Sequence, residues 1–230
     1  MLRRLDILFA FSAVCILAQQ QAAVSLSVNG AADAVVDPGW PVLIAAIAAT
    51  PSDTAADVRN LNAMVVGVDG QPVPVTLTRA PIRDPVQSAG FTVATATWTI
   101  SPEATAAMPT GHYTVQVTGA PSVGFDLRVP GTEENAARRA ERLMVFSEYA
   151  ELAGDREKAV GYTDELLRLD AGSIAARIRK ADLLAADGKL AEALRLLDEA
   201  DMLVRKQNPT HPPIQIRKRQ AEILDQMTGR

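Results

Sequence analysis

The sequence predicts a multi-domain protein, an all-β sandwich followed by an all-α helical array, and three observations carry that expectation. Residues 24–130 hold 17 valines, 12 threonines and 11 prolines but only 12 charged side chains, whereas residues 131–230 hold 3 valines, 4 threonines and 35 charged side chains. β-Branched residues favour the pleated surface of a strand, and proline punctuates strands. Second, no proline occurs between Gly131 and Asn208, and a charge-laced stretch without proline favours helix. Third, the charged half repeats itself, so that Ala140–Ser173 can be set above Ile174–Gln207.

Residues 1–23 read as an export signal. Arg3 and Arg4 give a positive start, diluted by Asp6, and Ile7 to Ala18 is an unbroken, largely apolar run without charge. A bilayer span needs about 20 apolar residues, so this shorter run suits the core of a secretory signal better. Cleavage after Ala18, Ala22 or Ala23 is compatible with the small residues there, and Ala23 is the favoured site. An uncleaved membrane anchor is the competing reading. Cys15 lies inside the run with Val14 and Ser12 before it, a poor context for lipidation. Cleavage at Ala23 leaves a chain without cysteine or membrane span, which must fold on its core alone.

In residues 24–130, strand runs alternate with turn signals. Strands are expected at Val24–Val28, Pro41–Ala49, Ala63–Val68, Val73–Arg79, Phe91–Ile100, Gly111–Thr118 and Val123–Val129. Asp69-Gly70 marks a hairpin with a primed turn, because both residues tolerate positive φ, and Asp37-Pro38-Gly39 marks another turn. Seven strands in about 100 residues, with alternation at Tyr113, Val115 and Val117, describe two packed sheets. The segment Gly111-His112-Tyr113-Thr114-Val115-Gln116-Val117 resembles the G-x-Y-x-V-x-V strand of bacterial immunoglobulin-like and fibronectin-like domains. Asp37-Pro38-Gly39-Trp40-Pro41-Val42 is similar to the entry to their second strand. The resemblance implies an immunoglobulin-like sandwich in which the tyrosine makes a corner hydrogen bond. Without cysteines in this segment, the antibody-type disulfide version is excluded.

The boundary falls at Pro130-Gly131-Thr132, with Thr132 placed to cap a helix from Glu133. Beyond it, Ala140–Ser173 aligns with Ile174–Gln207. Ser147 falls on Ala181, Ala150 on Leu184, Gly154 on Gly188, Ala159 on Ala193 and Leu166 on Ala200. Small residues at these offsets let antiparallel helices approach, and the glycine turns the chain between them. Leu143, Phe146, Asp155 and Leu169-Asp170 complete the first copy, whereas Arg177 and Lys180 stand at positions expected to be apolar. The spacing resembles the tetratricopeptide repeat, whose period is 34. About six inserted residues, Asn208 to Pro213, then lead to a helix at Ile214–Met227 that is expected to face Ala221 and Leu224 inward as a third first helix or a cap. Five helices result.

Charge and motif content argue against most chemistry. Net charge is −4, which offers no bulk attraction to nucleic acid. No phosphate-binding glycine loop, H-E-x-x-H or G-x-S-x-G occurs. His112 and His211 stand alone, and Asp33, Asp37, Asp53 and Asp57 flank turns without the dense oxygen spacing calcium needs. Trp40 and Trp98 are read as core rather than as a sugar platform. Arg217-Lys218-Arg219, continuing from Arg205 and Lys206, reads as a solvated helix face. A non-enzyme without catalytic residues, cofactor or metal is therefore expected.

The tetratricopeptide resemblance implies a concave surface of first helices that holds a protein segment. Its groove positions are Glu141, Met144, Val145, Glu148 and Leu152 in the first copy, and Ala175, Ile178, Arg179, Asp182 and Ala186 in the second. The family's carboxylate-gripping subclass has lysine and asparagine where this chain has Met144 and Glu148, so only Arg179 fits that mode. A mixed apolar and acidic groove suits an amphipathic or basic partner segment. The expected protein is an exported, non-catalytic adaptor or assembly factor of the cell envelope. By analogy its place is the periplasm or exterior of a Gram-negative bacterium. A glycan-binding sandwich and a purely structural stalk or dimerisation protein are the alternatives. Oligomeric state is left open.

Overall fold

The computed structural model describes residues 23–51, 57–88, 90–129, 135–207 and 213–229. Residues 1–22 of the expected export signal, Cys15 among them, the boundary at Pro130-Gly131-Thr132, Asp53 and His211 lie outside the described residues, and Ala23 opens the first strand. The chain divides into two compact units. Among the described residues, one holds residues up to 36, 42–100 and 107–128; the other holds 37–41, 101–106 and those from 129 onward.

Among the described residues, the first unit contains nine strands in two sheets. They are β1 (Ala23–Val28), β2 (Asp33–Val36), β3 (Val42–Pro51), β4 (Ala63–Val66), β5 (Thr78–Arg79), β6 (Val86–Ser88), β7 (Phe91–Ile100), β8 (Gly111–Val117) and β9 (Val123–Leu127). One sheet runs β1-β3-β7-β5 with β6 also on β7, and the other runs β2-β9-β8-β4. All pairs are antiparallel except β2 with β9. Period-2 alternation gives each sheet a buried side. Ile44 stands opposite Trp98, and Ala46 opposite Ala96, all buried. On the other sheet, Val115 is opposite both Val65 and Val123, and Tyr113 is opposite Phe125, with their rings stacked 5.3 Å apart.

Three expectations for this unit need correction. The run Val73–Arg79 forms a strand only at Thr78–Arg79. Pro72 and Pro74 bring no N–H to a ladder, and a single bridge links Val66 to Pro72. The Asp69-Gly70 turn is present but not primed, since Gly70 alone takes a left-handed φ of 75°. Gly70 N–H donates to Gly67 O, and Gly67 N–H to Gln71 O, so the turn closes with one left-handed residue. Two short strands, β2 and β6, and a six-residue helix were not anticipated.

That helix, α1 (Pro102–Ala107), falls almost wholly in the second unit. Five more follow: α2 (Ala136–Leu152), α3 (Arg156–Leu169), α4 (Ile174–Ala186), α5 (Leu190–Gln207) and α6 (Ile214–Thr228). Helix α2 begins at Ala136 rather than at Glu133, because Asn135 is the capping residue and accepts from Arg138 N–H at 2.8 Å. Asp155 and Ser173 cap α3 and α4 in the same way.

The connections from α2 to α3 and from α4 to α5 match bond for bond in the repeat register that sets Gly154 on Gly188. Gly154 N–H donates to Glu151 O and Asp155 N–H to Ala150 O; Gly188 N–H donates to Ala185 O and Lys189 N–H to Leu184 O. Both glycines sit at left-handed φ, 85° and 75°, as this C-terminal cap requires. Ser147, Ala159, Ala181 and Ala193 are fully buried, and Ser147 Oγ donates to Ala159 O at 3.0 Å. Small side chains there bring the paired helices together. Arg177 and Lys180 interrupt the apolar pattern because each reaches a neighbouring helix: Arg177 to Glu199 of α5 at 3.2 Å, Lys180 to Asp164 of α3 at 2.5 Å.

Candidate functional site

Helices α2 and α4 carry the candidate groove residues. Along α2, positions 141, 144, 145, 148 and 152 recur at helical spacing and share one side, and 175, 178, 179, 182 and 186 do the same on α4. Their accessibility is uneven. Glu141, Glu148, Ala175 and Ala186 are exposed; Met144, Leu152, Ile178, Arg179 and Asp182 are partly buried; Val145 is buried. Met144 packs against the cluster of Leu143, Leu166 and Ala176, and Ile178 against the one built on Ala181, Leu184 and Leu197. These two side chains therefore support the fold as well as lining the face.

Charged side chains also bridge α2, α4 and α6, beside the apolar contacts of Ala176, Leu183, Ile216 and Ile223. Arg179 of α4 reaches α2, donating to Glu151 Oε2 at 2.6 Å and to Ser147 O at 3.1 Å. Arg219 of α6 reaches α4, donating to Asp182 Oδ1 at 3.1 Å. Sequence reasoning missed Glu151 and Arg219 as members of this face. Glu151 sits three residues after Glu148 and is discoverable from helical spacing. Arg219 belongs to the basic run expected as a solvated face. In that run Arg217 lies 3.7 Å from Asp201, Lys218 4.0 Å from Glu222, and Arg219 on Asp182.

Burial pushes the Asp182 carboxyl above the ordinary aspartate range; the Arg219 and Arg179 guanidiniums oppose that rise, and Glu151 adds to it. Elsewhere in the unit, the hydrogen bond from Arg139 holds Glu165 below the usual glutamate range, with Arg168 and Arg142 adding to the effect. With Arg179 committed to Glu151 and Ser147, its guanidinium is already engaged where carboxylate gripping would need it. On this face Glu141, paired with Arg138 at 2.7 Å, and Glu148 are exposed on α2, and the small residues Ala175 and Ala186 are exposed on α4.

The remaining chemical candidates lie apart from this face. His112 Nδ1 is 2.7 Å from Asp126, which Arg128 also contacts, on the exposed side of β8 and β9. Gly124 lies under the imidazole, and a Cβ there would stand 2.8 Å from His112 Cε1. Asp37 is taken by Arg138 at 2.9 Å within the second unit, where the Arg138 guanidinium stacks 4.0 Å over Trp40. Asp57 is taken by Arg59. Among the described residues no three His, Cys, Asp or Glu side chains gather as metal ligands, and no helix is long and apolar enough to cross a membrane. Trp40 and Trp98 are both buried, so neither offers an open sugar platform.

No family profile and no curated protein matches this sequence. Among solved structures, the crystal structure of the Lin-41 filamin domain is similar over 48% of this chain and 98% of its own length, with 18% identity and a TM-score of 0.27.

Proposed function

We propose that this protein is an exported, non-catalytic adaptor or assembly factor of the bacterial cell envelope, and that it holds a partner segment on the first-helix face of a short tetratricopeptide-like array. The observation that carries the reading is the cross-helix chain Glu151–Arg179 and Asp182–Arg219, which ties α2, α4 and α6 into one continuous face. The matching bonds at Gly154 and Gly188 support the repeat identity. In the sheet unit, the Tyr113 hydroxyl donates to Pro109 O at 2.6 Å, which supports an immunoglobulin-like reading through its corner tyrosine.

The chemistry of the face selects the partner. Arg179 and Arg219 pair with acids at the helix junctions, Glu141 pairs with Arg138 of its own helix, and the Glu141 and Glu148 carboxylates stand exposed along α2. Ala175 and Ala186 leave room on α4 for apolar side chains. A basic amphipathic segment meets both demands: its cations face α2 and its apolar side lies on α4.

Fluorescence anisotropy tests this with three labelled peptides of equal length: one basic and amphipathic, one with the charges reversed, one scrambled. The basic amphipathic peptide is expected to bind, and the double variant Glu148→Lys with Ala186→Arg to lose it. Both positions are exposed, so the variant keeps its fold. Equal binding by the variant, or no preference for the basic amphipathic peptide, contradicts the reading.

A further inference from the structure

Helix α6 repeats the packing of α4 once the insertion Asn208 to Pro213 is added to the repeat, so that Ile216 corresponds to Ala176 and Ile223 to Leu183. Ala176 and Leu183 of α4 bury themselves against the preceding helix pair, the first with Leu143 and Leu166, the second with Ala150 and Ala159. Their counterparts on α6, Ile216 and Ile223, bury themselves against α4 and α5 with Leu184, Leu196 and Leu197. Arg179 and Arg219 correspond too, each reaching an acid on the preceding first helix. The side of α6 that corresponds to Ala181 and Leu184, where α4 receives α5, carries Ala221 and Leu224. Ala181 and Leu184 are buried, whereas Ala221 is exposed and Leu224 is 49% exposed, alongside Met227 at 49% and Ile214 at 67%. The expectation that Ala221 and Leu224 face inward is thus overturned: Ile216 and Ile223 do. Among the described residues, the side of α6 that answers to the α5 berth on α4 is exposed.

We propose that this berth is filled by α6 of a second copy of the chain, crossing antiparallel about a two-fold axis at Ala221. The charge order along the helix argues for this occupant. The N-terminal half carries Arg217 and Lys218, and the C-terminal half carries Glu222 and Asp225. An antiparallel pairing centred on Ala221 sets Arg217 of each copy opposite Asp225 of the other. It also lays the methylene stem of each Lys218 along Leu224 of the second copy. A small residue at the centre allows two helix axes to approach closely, and a two-fold contact uses the same patch twice. A parallel pairing would set like charges together. The inference concerns self-association and stands apart from the partner segment on the first-helix face.

Sedimentation equilibrium of the purified full-length protein across micromolar concentrations tests it. Wild type is expected to dimerise reversibly, more weakly at high salt. Arg217→Asp alone and Asp225→Arg alone are each expected to weaken the dimer by about tenfold or more, since each sets like charges opposite one another twice. Mixed in equal amounts, these two variants are expected to form a heterodimer that neither forms with itself, because both contacts then join opposite charges. Leu224→Arg, at an exposed position, is expected to leave the helical circular dichroism intact and abolish association. A wild type that stays monomeric, a dimer that none of the variants weakens, or a mixture that fails to recover the contact overturns the proposal.

Discussion

Single side chains decide how tightly each unit holds, and several can be isolated. Removing the Tyr113 hydroxyl deletes one buried-end hydrogen bond without changing the ring, so Tyr113→Phe is expected to cost about 1 kcal/mol in urea unfolding. Trp40 and Trp98 are 5% and 4% exposed, so acrylamide is expected to quench their emission far less than that of free tryptophan until the protein unfolds. Strong quenching of the native protein would contradict their burial and revive a sugar-facing role. Asp182 gives a pH signature of known sign. Its carboxyl is raised in the folded state, so folding takes up protons there just above the ordinary aspartate range, and the contribution is fully present only below it. Stability of wild type relative to Asp182→Asn is therefore expected to fall as pH rises through that window. Paired urea melts at acidic and neutral pH would show it, and a gap that widens in favour of wild type would contradict the assignment.

Helices and turns show what the sequence could and could not reveal. The left-handed glycines at 154 and 188 have open space where a Cβ would go. Changing either to alanine therefore strains only the backbone, and each is expected to cost about 1 kcal/mol, with nearly equal shifts in the urea midpoint. Ala181 is enclosed between paired helices, and Ala181→Leu is expected to cost about 2 kcal/mol by overpacking, whereas Ala221→Leu on the open side of α6 changes monomer stability little. The long strands β3 and β7 and the helix pairs were legible because alternation and the repeat register extend over many residues. Short elements were not: β2 has four residues, β6 has three, and their pairing with β9 and β7 is settled by tertiary neighbours. Arg177 and Lys180 spoiled the apolar pattern for a reason invisible in one helix, since their acids lie on α5 and α3. Arg177→Leu is expected to cost less than about 1 kcal/mol, because Glu199 keeps Arg195 at 2.6 Å. The candidate face was legible as helical spacing along α2 and α4. Its closure by Arg219 was hidden, because the insertion Asn208 to Pro213 shifts α6 out of the period.

At the scale of the whole chain, two compact units of unlike composition share one polypeptide. The two proposals assign the helical unit two distinct surfaces. One is the face of α2 and α4, with Glu141, Glu148, Ala175 and Ala186 exposed, proposed for a basic amphipathic segment; the other is the exposed side of α6 at Ala221 and Leu224, proposed for a second copy. The central claim is that the first-helix face is the working surface. Site-specific photocrosslinking in cells that natively make the protein tests it most directly, with a photoreactive residue at Ala175 or Ala186 on α4 and, as the contrast, at Glu157 on α3. All three positions are exposed, so the probes do not disturb the core. The account predicts one partner crosslinked from Ala175 and Ala186, absent from Glu157, and lost when Glu148 is changed to lysine. A partner captured from Glu157 but not from α4, or capture from α4 that ignores Glu148, would contradict it.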